Sequence, residues 1–230
     1  MKNLIVLTGA GISAESGIST FRDAGGLWEQ YAIEDVATLN GWLKDKALVT
    51  DFYNQRRKQL LQVEPNYGHI GLVELEKMFH VCVITQNVDN LHERAGSSAI
   101  VHLHGELTKV RSERDENLIY ELDADKYEVK IGDLCEKGYQ LRPHIVWFEE
   151  AVPMMDEAIQ ITSQADIMVV IGTSLNVYPA AGLLGYVQTN VPIFLIDPND
   201  ISLRGENVHF IKKKASEGVK ELIKLLQEYR

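Results

Sequence analysis

The sequence has little cysteine, few positive charges and no long apolar run. Cys82 and Cys135 are its only cysteines, too few for a disulfide framework or a four-thiolate metal site, so a reducing, cytoplasmic compartment is expected. Lys and Arg number 23 against 33 Asp and Glu, a formal net charge of −10. This balance argues against a nucleic-acid partner or an anionic membrane surface. No stretch reaches the roughly 18 uncharged residues that a membrane span needs.

Short apolar runs alternate with amphipathic helical stretches along the chain. The runs that predict buried strands are residues 4–7, 81–84, 100–103, 167–171 and 193–196. Apolar residues return every three or four positions in the predicted helices 46–61, 69–79, 154–164, 180–187 and 216–229. The alternation predicts an α/β fold with a mostly parallel sheet covered by helices.

Two segments interrupt this alternation. Residues 108–143 are dense in charge and poor in long apolar runs, and we interpret them as a small inserted module. Residues from 19 to about 67 interrupt the first strand–helix–strand crossover with a mostly helical insertion. The prediction is therefore one main domain, formed by residues 1–107 and 144–230, with the module 108–143 inserted into it. A chain of 230 residues is long enough to bury a core of this kind.

A glycine-rich loop directly follows the first predicted strand. Gly9-Ala10-Gly11-Ile12-Ser13-Ala14 has the pattern of a loop that opens a helix and turns backbone N–H groups towards a pyrophosphate. This pattern predicts a dinucleotide ligand, although a tight turn without any ligand is the alternative. A hydride-transfer enzyme is disfavoured, since no second strand and acidic residue follow about 20 positions later.

Three motifs extend this observation. They are Gly-Ala-Gly-Ile-Ser-Ala-Glu-Ser-Gly-Ile-Ser-Thr-Phe-Arg at residues 9–22, Thr-Gln-Asn-Val-Asp-Asn-Leu-His at residues 85–92 and His-Leu-His-Gly-Glu at residues 102–106. With these motifs, in this order, the chain resembles the sirtuins. Residues 146–150 and 172–175 are similar to the family's substrate strand and ribose-side loop. The resemblance implies a Rossmann-like NAD-binding domain that removes acyl groups from lysine, with nicotinamide and O-acyl-ADP-ribose as products.

The resemblance implies catalytic roles for residues at the ends of predicted strands. His104 is implied as the base that takes a proton from a ribose hydroxyl, a task that suits an imidazole. Position alone does not separate it from His102, because alternate strand residues share a face. Asn87 and Asp89 are implied at the nicotinamide, whereas a turn and helix cap would explain them without a ligand. Gln86 is implied beside the reactive ribose.

The resemblance implies a larger set of residues around NAD+. The set is Gly9, Ala10, Gly11, Glu15, Thr20, Phe21, Arg22, Gln86, Asn87, Asp89, His104, Gly172, Thr173, Ser174, Asp197, Asn199 and Ala215. Phe21 and Arg22 would shield and order the reactive ribose. Asp197 stands where the family often has asparagine, and its carboxylate can still accept hydrogen bonds from ribose hydroxyls. Ala215 is implied beside the adenine.

Most sirtuins bind a structural zinc ion through two Cys-x-x-Cys pairs in the small domain, and this sequence lacks both pairs. Ser112 and Asp115 stand at the first pair, and Leu134 and Lys137 at the second, with Cys135 out of register. These residues cannot supply four tetrahedral ligands, so we expect no zinc or other metal. The module would then be held by packing and hydrogen bonds, for which the candidates are Leu118, Ile119, Tyr120, Leu122, Tyr127, Val129, Ile131 and Leu134.

The predicted helix 46–61 carries Tyr53 and Arg56, which project from one face because they lie three residues apart. A guanidinium and a phenol hydroxyl together suit a carboxylate, such as that of a succinyl or malonyl group. Sirtuins that remove acidic acyl groups carry a similar Tyr-x-x-Arg. The alternative is a solvated helix face with Tyr53 in the core. By the same resemblance, Val146, Trp147 and Phe148 would pair with the substrate peptide through main-chain hydrogen bonds.

These observations favour an NAD-dependent protein lysine deacylase that removes succinyl or malonyl groups and acetyl groups as well. Its partners would be acyl-lysine proteins or peptides, and it would be a monomer or weak oligomer. One alternative is an NAD hydrolase or ADP-ribosyltransferase, in which water or a protein side chain attacks the ribose. Another is a non-catalytic module that senses NAD or ADP-ribose. His104, Asn87 and Asp89 speak against the sensing module, since all three catalytic positions are present.

Overall fold

The computed structural model describes residues 1–18, 31–201, 203 and 205–229. Its main sheet has six strands in the order β3-β2-β1-β7-β8-β9, and every neighbouring pair is parallel. The strands are β1 (Asn3–Thr8), β2 (His80–Thr85), β3 (Ile100–His102), β7 (Ile167–Ile171), β8 (Ile193–Ile196) and β9 (Val208–Ile211). The predicted α/β fold is confirmed. The prediction missed β9, an edge strand with two of its four residues exposed.

Seven α-helices lie in the described residues. They are α1 (Ile33–Val36), α2 (Leu39–Lys44), α3 (Lys46–Leu60), α4 (Tyr67–Leu75), α5 (Leu91–Ala95), α6 (Met155–Ser163) and α7 (Ala215–Leu225). The predicted helix 180–187 is instead a 3-10 helix, Ala180–Tyr186. Helices α1 to α3 form the described part of the predicted insertion. Within the described ranges, no helix is both long and apolar enough to cross a bilayer.

Helices cover both faces of the main sheet. On one face, α4 and α7 pack over Leu4 and Val6 of β1. On the other face, Ile5 and Leu7 of β1 belong to a cluster covered by α6 and the 3-10 helix. This arrangement follows from the alternation of side chains along a strand. All five residues of β7 are buried, which explains why a continuous apolar run predicts that strand so well.

A second, antiparallel sheet follows the loop after β3. It contains β4 (Gly105–Ser112), β5 (Ile119–Glu121) and β6 (Leu141–Ile145) in the order β5-β4-β6. Gly105 begins β4 with a left-handed φ of 79°, and a Cβ there would lie 2.1 Å from the His144 carbonyl oxygen. Glycine therefore permits the sharp turn out of β3. The division of the chain at residues 108 and 143 stays a prediction.

Polar contacts link residues at and next to the positions where the resemblance implies zinc ligands. Cys135 Sγ lies 3.5 Å from Ser112 Oγ, and Ser112 Oγ accepts the Asp115 N–H at 3.2 Å. Lys137 Nζ pairs with the Asp115 carboxylate at 2.6 Å. Hydrogen bonds and an ion pair thus join Ser112, Asp115, Cys135 and Lys137.

The packing of the small sheet differs from the prediction. Val129 is buried, but Ile119, Ile131 and Leu134 are 44%, 53% and 55% exposed, so their predicted core role is wrong. The reason is that polar side chains occupy the buried positions instead. These side chains are Arg111, Ser112, Gln140 and Arg142.

We expect the small sheet to be stable without metal, because hydrogen bonds and an ion pair connect Ser112, Asp115, Cys135 and Lys137. Incubation with EDTA should leave the Tm unchanged, and the purified protein should contain no stoichiometric zinc. Differential scanning fluorimetry and elemental analysis measure these quantities. A Tm that falls on chelation and recovers with zinc would contradict the expectation.

Candidate active site

The carboxyl ends of neighbouring strands bring the predicted cofactor residues to one edge of the main sheet. Residues 9–15 follow β1, residues 86–89 follow β2, His104 follows β3 and residues 172–174 follow β7. Gln86 Nε2 donates to Thr173 Oγ1 at 3.1 Å, and Asn87 Nδ2 donates to the Gly9 carbonyl at 3.1 Å. Loops at such an edge form the usual ligand site of an open α/β sheet.

The glycine loop is shaped by its contact with the turn after β7. Residues 10–12 and 14–16 form two short 3-10 helices rather than the start of an α-helix. Gly9 N–H donates to the Ile171 carbonyl at 3.0 Å, and Gly11 N–H donates to the Gly172 carbonyl at 2.9 Å. A Cβ on Gly11 would lie 2.6 Å from Gly172 Cα, so glycine permits the close approach. The expectation that this loop opens an α-helix is therefore wrong, whereas its contact with a pyrophosphate stays a prediction.

Ser13 lies under this loop with no exposed surface and links the two residues predicted at the nicotinamide. Its hydroxyl donates to Asp89 Oδ2 at 3.0 Å and accepts from Asn87 Nδ2 at 3.2 Å. His69 Nε2 lies 3.4 Å from the same hydroxyl. The sequence reasoning gave no role to Ser13 or His69. Ser13 could have been found within the glycine motif, whereas His69 comes from a distant helix.

Two buried histidines stand behind Ser13. The rings of His69 and His92 meet edge to face at 4.9 Å, and neither Nδ1 has a hydrogen-bond partner in the described residues. Burial lowers the pKa of His69 to about 4 and the pKa of His92 well below its usual value. Burial also raises the pKa of Asp89, against hydrogen bonds from Leu91 N–H and Ser13. The imidazoles are therefore neutral near pH 7.

His104 is oriented by the segment that leaves β2. Its Nδ1 lies 3.0 Å from the Gln86 carbonyl oxygen. A carbonyl oxygen can only accept, so Nδ1 carries the proton and Nε2 keeps a lone pair. Burial lowers the pKa of His104, partly opposed by the Gln86 carbonyl. The imidazole is thus a neutral base at physiological pH.

His102 is committed to different partners. Its Nε2 lies 2.6 Å from Glu93 Oε1, and its Nδ1 lies 3.1 Å from the Asn87 carbonyl oxygen. The side chain is only 9% exposed. Since both ring nitrogens of His102 are occupied, the structure separates it from His104, which sequence position alone could not do.

The residues predicted around the adenosine are held by contacts within the protein. Asp197 follows β8, and its Oδ1 accepts the Asn199 N–H at 2.8 Å. Glu15 Oε2 accepts the Ser216 N–H at 2.8 Å and so joins the glycine loop to the start of α7. Ala215 is 4% exposed in the core beside α4. The predicted ribose residues Thr20, Phe21 and Arg22 lie outside the described residues.

The side chains of Tyr53 and Arg56 meet on α3. The Arg56 guanidinium lies 5.8 Å from the centre of the Tyr53 ring. Burial lowers the pKa of Arg56, while the charges of Tyr53 and Asp89 and a hydrogen bond with Tyr53 oppose that effect. Burial raises the pKa of Tyr53, which is 1% exposed. The charge of Asp89, in the segment that follows β2, thus favours the charged form of Arg56.

The residues predicted to bind the peptide are not all exposed. Strand β6 ends at Ile145 rather than continuing to Phe148, because its pairing with β4 covers Leu141–Ile145. Trp147 is 2% exposed, and its Nε1 donates to the Tyr53 hydroxyl at 2.9 Å. Phe148 is 46% exposed, and Val146 is half-buried. Trp147 therefore supports Tyr53 from within the core.

Comparisons with known proteins agree with this architecture. A sequence model described as the Sir2 family matches residues 9–179. A protein named NAD-dependent protein deacylase from Bacteroides thetaiotaomicron is 63% identical over 230 residues, which covers 98% of each chain. A protein of the same name from Helicobacter pylori is 53% identical over 229 residues, covering 99% of this chain and 97% of the relative. The solved structure of a Sir2 homolog–NAD complex is similar with a TM-score of 0.88 at 40% identity, covering 99% of this chain and 90% of that one.

Proposed function

The chain belongs to the Sir2 family and is an NAD-dependent protein deacylase, and we propose that it removes the acidic succinyl and malonyl groups from lysine, and acetyl groups as well. The observation that carries this proposal is the contact between the side chains of Tyr53 and Arg56 on α3, where the charge of Asp89 also favours the charged form of Arg56. Sirtuin deacylases act on acyl-lysine proteins, so the open question is which acyl group this site prefers.

The hydrogen bonding of Tyr53 favours a carboxylate. An indole N–H can only donate, so the Trp147 contact uses the acceptor side of the Tyr53 hydroxyl. No acceptor for the hydroxyl proton is found among the described residues. Arg56 adds a positive charge in a partly buried setting, where an ion pair is stronger than in water. A terminal carboxylate would accept from both residues, whereas a methyl group would accept from neither.

The other end of the site fits the co-substrate. Asn90 Oδ1 is buried next to Asp89 and has no hydrogen-bond partner in the described residues. The Asp89 carboxylate and this oxygen are acceptors that suit the N–H groups of a carboxamide. When bound, NAD+ supplies the ribose carbon that receives the acyl oxygen, with nicotinamide as the leaving group. Asn87 and Asp89 would orient that leaving group.

His104 would act as the general base of the reaction. Its Nε2 lone pair would take a proton from a ribose hydroxyl. The Gln86 carbonyl already accepts the Nδ1 proton, and it would stabilise the imidazolium that forms. A protein without this lone pair could therefore bind its substrates but would lack the group that accepts the proton.

The peptide would lie along residues 146–148, with Phe148 in contact with it. Val146 N–H donates to the His104 carbonyl, so this segment is anchored directly at the proposed base. We further propose that the protein works in the cytoplasm as a monomer or weak oligomer. The free thiols of Cys82 and Cys135 suit a reducing compartment.

The acyl preference is tested with peptides that share one sequence and differ only in the lysine modification. At saturating NAD+, kcat/KM should be about tenfold or more higher for the succinyl and malonyl peptides than for the acetyl peptide. A succinamyl peptide is the matched control, since it has nearly the shape of the succinyl group without its charge. It should react about as slowly as the acetyl peptide. Equal rates for the succinyl and succinamyl peptides would contradict a carboxylate pocket.

A further inference from the structure

His102, the last residue of β3, and His104, which follows the strand, contact consecutive backbone carbonyls in the segment that leaves β2. His104 Nδ1 lies 3.0 Å from the Gln86 oxygen, and His102 Nδ1 lies 3.1 Å from the Asn87 oxygen. Strand β3 runs parallel to β2, with His102 opposite Thr85. The two contacts cross this register, because His102 reaches the later residue of the segment and His104 reaches the earlier one.

The charge state of His102 follows from its two contacts. A backbone carbonyl only accepts hydrogen bonds, and so does the ionised Glu93 carboxylate 2.6 Å from Nε2. Both ring nitrogens must then carry a proton, which makes the ring an imidazolium. Burial opposes this charge, but the hydrogen bond and the charge of Glu93 raise the pKa of His102 above its usual value. His104 can stay neutral, because only its Nδ1 contacts such an acceptor, the Gln86 carbonyl oxygen.

The Asn87 peptide group is a sensitive point in the site. Its side chain reaches Gly9 and Ser13, and Ser13 in turn holds Asp89. A neutral His102 would have only one N–H and would lose its bond to either Asn87 or Glu93. Movement of this peptide group would shift the Asn87 and Asp89 side chains together.

We propose that His102 is a positioning residue for deacylation: its imidazolium ties the Asn87 carbonyl to Glu93 on α5 and so holds residues 86–89 at the nicotinamide. The inference rests on the proposed role of Asn87 and Asp89. It is independent of the acyl preference.

The charges that face His102 come from three elements. Glu93 and His92 lie on α5, Asp89 lies in the segment after β2, and Glu106 and Lys109 lie on β4. Glu93 and Glu106 favour the imidazolium, Lys109 pairs with Glu106 at 2.9 Å, and His92 is neutral. Because Glu93, Glu106 and the Asn87 carbonyl raise the pKa of His102, the double contact of its imidazolium with Asn87 and Glu93, here called the clamp, is present at low pH and is lost as the pH rises through that pKa.

His102→Asn tests the clamp by removing the charge and the double contact. We expect kcat/KM for NAD+ to fall about tenfold and nicotinamide inhibition to weaken by a similar factor, as is typical for the loss of a charged hydrogen bond. KM for the acyl peptide and the affinity for ADP-ribose, which lacks nicotinamide, should not change. The alkaline limb of the pH profile of kcat/KM for NAD+ should disappear.

Glu93→Gln provides a second test, since it keeps an acceptor for Nε2 but removes the charge that stabilises the imidazolium. The alkaline limb should move to lower pH, with wild-type NAD+ kinetics at pH 6. Glu121→Gln is the matched control, because it removes the same charge from the exposed residue Glu121 on β5. Its pH profile should be that of the wild type.

Two results would overturn the inference. One is a folded His102→Asn protein with wild-type nicotinamide inhibition and pH profile. The other is an equal loss of ADP-ribose and nicotinamide binding, which would indicate a purely structural role. If His102→Asn does not fold, an unshifted alkaline limb in Glu93→Gln overturns it instead. Asn87→Ala separates the two proposals: unchanged nicotinamide inhibition there would remove the proposed function of Asn87 itself.

Discussion

His104→Ala is expected to lower kcat for deacylation at least about a hundredfold, with little effect on NAD+ affinity. The substitution removes the Nε2 lone pair that would accept the ribose proton. It also removes the Nδ1–H donor of the Gln86 carbonyl oxygen. Steady-state assays give kcat, and isothermal titration calorimetry gives the NAD+ affinity. His80→Ala is the matched control, because His80 is an exposed residue at the start of β2.

The pH dependence provides a second readout of the same residue. Burial lowers the pKa of His104 below its usual value of 6.5, so the basic form persists to more acidic pH. Activity that requires this form is present above the lowered pKa and is lost as the pH falls through it. The acid limb of the wild-type kcat profile should therefore have its midpoint below pH 6.5. Residual His104→Ala activity above about a tenth of wild type would argue against a general base.

Arg56→Met is expected to lower kcat/KM for a succinyl peptide by about 10- to 100-fold and to leave the acetyl peptide unchanged. Methionine keeps an unbranched apolar chain but loses the charge and the hydrogen-bond donors. For the succinyl peptide, kcat/KM of Arg56→Lys should lie between the values of the wild type and Arg56→Met, because lysine keeps the charge but lacks the planar guanidinium. Parallel assays with succinyl and acetyl peptides measure the selectivity. Lys58→Met is the matched control, since Lys58 is an exposed cation on the same helix.

Equal losses for both peptides in Arg56→Met would show that Arg56 supports the fold rather than the acyl choice. Circular dichroism and the Tm check this possibility. Tyr53→Phe is less clean as a test, because it leaves the buried Trp147 N–H without its partner at 2.9 Å. Such an unsatisfied donor costs about 1–3 kcal/mol. Its effect on succinyl turnover should therefore be compared with the acetyl rate of the same protein.

The sequence predicts strands best where burial is complete on both faces. All five predicted strands are present, and β7 and β8 have the predicted bounds. Edge strand β9 escaped prediction because His209 and Phe210 are exposed and its pattern is mixed. The helix expected after Gly11 fails for a different reason. The Gly9 and Gly11 N–H groups bind the Ile171 and Gly172 carbonyls, the next residues turn as 3-10 helices, and no local pattern reveals those distant partners.

The candidate site shows a similar contrast. Motif order identifies residues at the ends of β1, β2, β3 and β7, and the parallel topology then brings them together. Side-chain partners are harder to foresee, because they join distant positions. The bond between Trp147 and Tyr53 spans 94 residues, and the contact between Ser13 and His69 spans 56. The burial of arginines in the small sheet is equally hard to predict from the sequence, since Arg142 is buried beside its ion-pair partner Glu150, 2.8 Å away.

The decisive measurement is the mass of the ADP-ribose product formed from NAD+ and a succinyl-lysine peptide. We predict O-succinyl-ADP-ribose in equal amounts with nicotinamide and the unmodified peptide, and at least about a hundredfold slower formation of O-succinyl-ADP-ribose with His104→Ala. Free ADP-ribose without peptide deacylation would indicate an NAD hydrolase instead. Binding of NAD+ without any turnover would indicate a sensing module, and either result would contradict acyl transfer at this site.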